Sequence, residues 1–193
     1  MDKNFLVYLI RHGQTAWSLS GQHTGRTDIP LTQEGEKLAL CLQEPLSKIA
    51  FGTMYSSPLI RAYKTAQING FEPLKDDDLM EWDYGNYEGL RTIDIHKTAP
   101  QWNLFKEGAP GGESVVAACE RADRMIAKIK SSKGPVAIFS HGHFLRVLAA
   151  RWLKLPAEKG ALFSLQTESI SILGFEHNIE EPVVKLWNYH SDQ

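Results

Sequence analysis

Arg11-His12-Gly13 closes an apolar run, and an apolar run ends in histidine again at Ser140-His141-Gly142-His143. An arginine is a permanent cation, a neutral imidazole is a nucleophile, and glycine lets a ligand come close to the backbone. Alone, Arg11, Arg61 and His141 each have an ordinary structural reading. Taken together they could surround a tetrahedral dianion, helped by backbone N–H groups at helix amino termini, and phosphate fits that description. The positive field of Arg11, Arg61 and His141 would also hold His12 unprotonated and ready to attack. Cleaving an ester further needs a proton for the leaving alkoxide. A loop carboxylate can supply it, but the chemistry alone does not choose among Asp77, Asp78, Glu81 and Asp83.

The elements that must position these groups can be read from the apolar pattern. Residues 5–10 and 135–139 are continuously apolar, as strands covered on both faces are, and each leads directly into a histidine cluster. Thr32 can cap a helix with Leu38, Leu42 and Leu46 on one face, bracketed by Pro30 and Pro45. Residues 53–56 read as a short strand. Ser57-Pro58 then supplies a cap and first-turn pair that places Arg61 in the first turn of a helix. The segment 76–89, rich in glycine, tyrosine and acidic residues, reads as a functional loop carrying Glu81, Tyr84 and Tyr87. From 113 to about 129 an amphipathic helix turns Val116, Cys119, Met125 and Ile126 inward and leaves Arg121 and Arg124 elsewhere. A helix over 144–155 and a terminal hairpin over 169–189 complete the order. Strands alternating with helices predict an α/β fold, a three-layer α/β/α sandwich with a mostly parallel sheet whose ligands gather at the carboxyl ends of the strands. His12 and His141 share one site if the strands preceding them are neighbours.

The chain has 193 residues, 42% hydrophobic and 23% charged, which predicts one soluble globular domain over 1–193. A formal charge of −2 gives no broad platform for nucleic acid or an anionic membrane. No apolar run approaches membrane-spanning length, and residues 1–4 carry no signal-peptide pattern, so the expectation is a cytoplasmic protein. Cys41 and Cys119 lie in amphipathic stretches and read as buried thiols rather than a disulfide. Sheet-edge pairing allows a homodimer without demanding one.

Four motifs in order, Leu9-Ile10-Arg11-His12-Gly13-Gln14-Thr15, Ser57-Pro58-Leu59-Ile60-Arg61-Ala62, Glu81-Trp82-Asp83-Tyr84-Gly85 and Ser140-His141-Gly142-His143, resemble the histidine phosphatase superfamily of phosphoglycerate-mutase-like proteins. The resemblance implies a phosphoglycerate mutase-like fold with His12 as the phosphorylated nucleophile. It makes Arg11, Arg61 and His141 the phosphate pocket and Glu81 the proton donor and acceptor. It also implies a mechanism with no metal and no cofactor, acting on a small phosphate ester. The motifs at 21–32, 81–89 and 177–182 are most similar to the sedoheptulose-1,7-bisphosphatase-like branch. That likeness makes Gln22, Thr24, Tyr84, Arg146 and His177 substrate contacts, with Arg146 and His177 placed to receive a second phosphate. His23 stands where that branch commonly carries an aromatic hydroxyl. Gln14 and Ser18 replace the acidic and asparagine residues typical of the mutases, which favours hydrolysis over transfer to an acceptor. The expected function is therefore hydrolysis of a sugar phosphate or bisphosphate through a phosphohistidine. A cofactor-dependent phosphoglycerate mutase and a noncatalytic phospho-ligand binding module are the alternatives.

Overall fold

A computed structural model describes residues 5–190; residues 1–4, on which the signal-peptide expectation rests, lie outside them. Among the described residues six strands form one sheet: β1 (Val7–Arg11), β2 (Thr53–Ser56), β3 (Leu74–Lys75), β4 (Val136–Ser140), β5 (Ile170–Phe175) and β6 (Pro182–Tyr189). Their order is β3-β2-β4-β1-β5-β6. The first four strands in that order run parallel, while β5 and β6 add an antiparallel edge. The expected adjacency holds, since β1 pairs with β4 in the register Ile10 to Phe139 and Arg11 to Ser140. His12 and His141 thus emerge side by side at the carboxyl ends of neighbouring parallel strands.

The helices are α1 (Ala16–Ser20), α2 (Gln33–Ala39), α3 (Gln43–Ser47), α4 (Ile60–Ile68), α5 (Thr92–Ile95), α6 (Leu104–Glu107), α7 (Val115–Ser131) and α8 (Gly142–Trp152). Alternate residues of the central strands feed two cores. Val7, Leu9, Val136 and Ile138 pack with Ala118, Ala122, Met125, Leu145 and Leu148 of α7 and α8. Tyr8, Ile10, Ala137 and Phe139 pack with Leu42, Leu46 and Ala66 on the other face. A helical layer on each face is what makes the strand sequences apolar throughout rather than alternating.

Several local expectations are corrected. The helix capped by Thr32 ends at Ala39, and the chain passes through a tight turn at Leu40–Leu42 before α3 begins. Pro45 sits in the first turn of α3 instead of closing a helix, which is tolerated because that N–H has no intrahelical partner. Leu59, not Ser57, is the N-cap of α4, although Arg61 remains in its first turn. In α7 the inward face is Ala118, Ala122, Met125 and Ile129, so Val116 is exposed and Arg121 is buried. Cys41 is exposed and Cys119 is half-buried. No helix among the described residues is long and apolar enough to cross a membrane.

Candidate active site

The His12 ring leaves β1 where its backbone N–H still donates to Ser140 O (3.0 Å), and the next residue, Gly13, donates its N–H to Thr65 Oγ1 on α4 (3.0 Å). His12 Nδ1 lies 2.7 Å from Gly13 O. A carbonyl can only accept, so Nδ1 carries the hydrogen and Nε2 keeps its lone pair. Burial, followed by the charges of Arg61 and Arg11, holds the His12 pKa well below the usual imidazole range. The result is a neutral imidazole with a defined tautomer and a free lone pair on Nε2.

His141 packs edge-on against it, with ring centroids 5.0 Å apart. Arg61 Nε donates to His141 Nδ1 (3.1 Å), which fixes the hydrogen on Nε2, where it donates to Ser57 Oγ (2.8 Å). Arg61 is fully buried. Its terminal nitrogens donate to Thr27 O (3.0 Å), Thr24 O (3.1 Å) and Gly25 O (2.9 Å). Glu88 accepts from Gly25 N–H (2.8 Å) and Thr27 N–H (3.1 Å), so it clamps the loop whose carbonyls collar the guanidinium. Gly25 is required there, because a Cβ would lie 2.4 Å from Trp82 O. Arg11 donates through Nη1 to Leu165 O (2.5 Å), and its buried Nε has no hydrogen-bond partner. An orphaned guanidinium N–H beside His12 is a ready donor to an anion.

Helix amino termini were expected to offer backbone N–H groups to the dianion, but the amino terminus of α8 is occupied by a side chain. Glu81 is buried, and its carboxylate accepts from His143 N–H (3.0 Å), Phe144 N–H (2.9 Å) and its neighbour Trp82 N–H (2.8 Å). It therefore caps α8 from a distant loop. Arg121 anchors that loop. Its guanidinium makes a bidentate pair with Glu113 (2.7 and 2.8 Å) and donates to Asp78 O (2.8 Å) and Met80 O (2.7 Å) immediately before Glu81.

A cleft of about 180 Å³ brings together Arg11, His12, Gln22, Thr24, Glu81 and Tyr84, joined by Ser18, His23 and His143. Tyr84 is buried, and its phenol lies 2.5 Å from His143 Nδ1. Burial and then the Glu81 charge push Tyr84 well above the usual phenol range, so its hydroxyl donates and His143 accepts. His23 stacks on the Tyr84 ring at 4.6 Å. His23 and His143 went unassigned in the sequence, although both lie inside the motifs that carry the resemblance. Arg146 lines a neighbouring cavity of about 250 Å³ that shares His23 and His143 with the cleft. Its guanidinium donates to Gly160 O (3.0 Å) and Ala161 O (3.2 Å) and covers the Phe105 ring.

His177 is not brought to the site. It is exposed in the turn between β5 and β6, paired with Glu181 Oε2 (2.7 Å). Because β5 runs antiparallel to β1, with Ile10 opposite Ile170 and Val7 opposite Leu173, that turn lies at the other end of the sheet from His12.

The model of the histidine phosphatase superfamily (branch 1) matches residues 7–190. The chain belongs to that superfamily. It is 38% identical to an acid phosphatase of Mycobacterium tuberculosis, covering 94% of this chain and 92% of that one. It is 31% identical to the sedoheptulose 1,7-bisphosphatase of Saccharomyces cerevisiae, covering 92% and 90%. A solved structure of an open reading frame from Mycobacterium tuberculosis superposes with a TM-score of 0.91 at 36% identity, over 98% of this chain and 100% of that one. This histidine phosphatase therefore shares both its fold and most of its length with phosphatases.

Proposed function

We propose that this histidine phosphatase hydrolyses the phosphate ester of a small hydroxylated metabolite through a phosphohistidine on His12. The observation that carries the reading is the approach of two neutral imidazoles, 5.0 Å between centroids, beside the buried Arg61 and the half-buried Arg11, with Glu81 on the same cleft as His12. Family membership and the two phosphatase relatives support it.

In the first step His12 Nε2 uses its lone pair to form an N–P bond while the ester P–O bond breaks, and Glu81 in its acid form gives its proton to the leaving oxygen. In the second, Glu81 takes a proton from water, the resulting hydroxide forms a P–O bond, and the N–P bond breaks to return the electron pair to Nε2. Arg11 donates through its open Nε, and His141 donates through Nε2 by exchanging Ser57 Oγ for a phosphoryl oxygen. Such donors stabilise the charge that builds on the transferring group. Arg61 acts mainly through His141, since its own hydrogens face three loop carbonyls.

The test is phosphate release from p-nitrophenyl phosphate and a panel of sugar phosphates, with acid-labile phosphate on His12 sought by mass spectrometry after rapid quench. His12→Ala should abolish release and labelling, and Glu81→Gln should slow both steps. Full turnover in either variant rejects the assignment.

A further inference from the structure

His143 stands in the wall between two spaces, the cleft that holds His12 and Glu81 and the neighbouring cavity of about 250 Å³. Its backbone N–H donates to Glu81 Oε2 (3.0 Å), and its Nδ1 lies 4.0 Å from the same oxygen. That nitrogen is already engaged, since it accepts from the Tyr84 hydroxyl (2.5 Å). Burial, followed by the charge of Arg146, holds the His143 pKa well below the usual imidazole range. A neutral imidazole carries one hydrogen, which is therefore on Nε2. Among the described residues Nε2 has no protein acceptor, and the side chain keeps 26% of its surface exposed. The ring thus offers one N–H donor of fixed tautomer beside the acid.

The leaving oxygen has to face Glu81 for its proton, so the carbon that bears it lies in the cleft and the next carbon comes beside His143. Beyond that point the cavity supplies Trp102, Leu104 and Phe105 as apolar wall, with Thr92 and Asn103 as hydrogen-bonding groups. Arg146, its permanent cation, commits Nε and Nη2 to Gly160 O and Ala161 O. An oxygen on the second carbon would accept from His143 Nε2, whereas a methylene there would displace water and leave the donor unpaired. Tyr84 decides what kind of oxygen is read. Without its hydroxyl the hydrogen would shift to Nδ1, drawn by Glu81 Oε2, and Nε2 would become an acceptor.

We propose that His143 is a specificity-determining residue that selects esters whose second carbon carries a hydrogen-bond-accepting oxygen, with Tyr84 as the positioning residue that keeps the ring a donor. The inference rests on the phosphatase reading above and narrows its substrate class to the phosphates of vicinal diols and of hydroxyketones.

The test uses glycerol 1-phosphate, dihydroxyacetone phosphate and 3-hydroxypropyl phosphate. All three share the chain and its terminal hydroxyl, and the middle carbon bears a hydroxyl, a carbonyl oxygen and no oxygen respectively. In the wild type, kcat/KM for the first two should exceed that for the third by about tenfold, a modest factor because the donor is partly exposed. His143→Phe should remove both advantages. Tyr84→Phe should keep the hydroxyl advantage, since a hydroxyl can also donate to Nε2, and lose the carbonyl one, a split that a merely structural tyrosine would not produce. A wild type that does not favour the first two esters, or an advantage that persists in His143→Phe, overturns the assignment of His143. Any result in Tyr84→Phe other than the split overturns that of Tyr84. Calorimetric binding of the three esters to His12→Ala reads the preference without turnover. Preference in binding with no hydrolysis by the wild type sinks the phosphatase reading alone, and hydrolysis with no preference sinks this one alone.

Discussion

Arg61 Nε donates to His141 Nδ1 across 3.1 Å with both side chains fully buried, so a residue of α4 dictates which nitrogen of His141 carries the hydrogen. A guanidinium can do this while its other nitrogens hold three carbonyls of the 24–27 loop, because its donors diverge in a rigid fork. A lysine at 61 has one nitrogen and cannot serve both ends. Arg61→Lys should lower kcat/KM about a hundredfold or more and cost about 3 kcal/mol of stability in urea titration. Activity within about threefold of the wild type would show that the His141 tautomer needs no arginine.

Folding should become weaker as the solution is acidified. His12, His141 and His143 all have pKa values held well below 6.5 in the folded chain, chiefly by burial and then by arginine charge. Below 6.5 the unfolded chain binds protons that the folded one refuses, so stability is complete above that pH and falls as pH drops toward the folded values. Each histidine contributes a slope of up to about 1.4 kcal/mol per pH unit. Thermal melts from pH 7.5 to 5 should show a falling Tm, and His143→Gln should flatten the slope. A Tm that is level or rises on acidification contradicts buried neutral imidazoles.

Glu113 is far from the reacting atoms yet sets where Glu81 sits, because its pair with Arg121 pins the chain just before the acid. Glu113→Gln leaves Arg121 buried without its counter-ion, at a cost of about 3 kcal/mol or more. Since the loop carries Glu81, the proposed proton donor, kcat should fall more for an alkyl phosphate than for p-nitrophenyl phosphate, whose leaving group needs little protonation. Equal losses on the two substrates would leave Glu113 a purely structural residue.

Gly142 begins α8 directly against the Arg11 guanidinium, where a Cβ would come within 3.1 Å of Arg11 Cζ. Gly142→Ala should displace that guanidinium by a few tenths of an ångström, reducing kcat/KM by about tenfold while Tm moves little. The check is steady-state kinetics alongside a thermal melt, and unchanged kinetics would mean that Arg11 tolerates the shift.

The sheet and the pairing of His12 with His141 were legible because two buried parallel strands leave continuous apolar runs, and each run ended in a histidine. Arg121 was not, since a buried arginine and a solvated one look alike until a partner such as Glu113 is found on another element. The capping of α8 by Glu81 is also a contact between distant segments, so no local pattern announced it. His177 misled for the opposite reason. Its motif was present, but the antiparallel course of β5 carries it to the wrong end of the sheet.

β1 leads directly into His12 yet lies between β4 and β5, the strands that begin at Val136 and Ile170. During synthesis its apolar residues therefore wait for more than half the chain before any strand partner leaves the ribosome, a delay on the order of ten seconds at ordinary elongation rates. Nascent fragments stopped short of β4 would carry His12 on an unpaired, aggregation-prone segment. The neighbourhood that sets His12 beside His141 therefore forms only after β4 has been made.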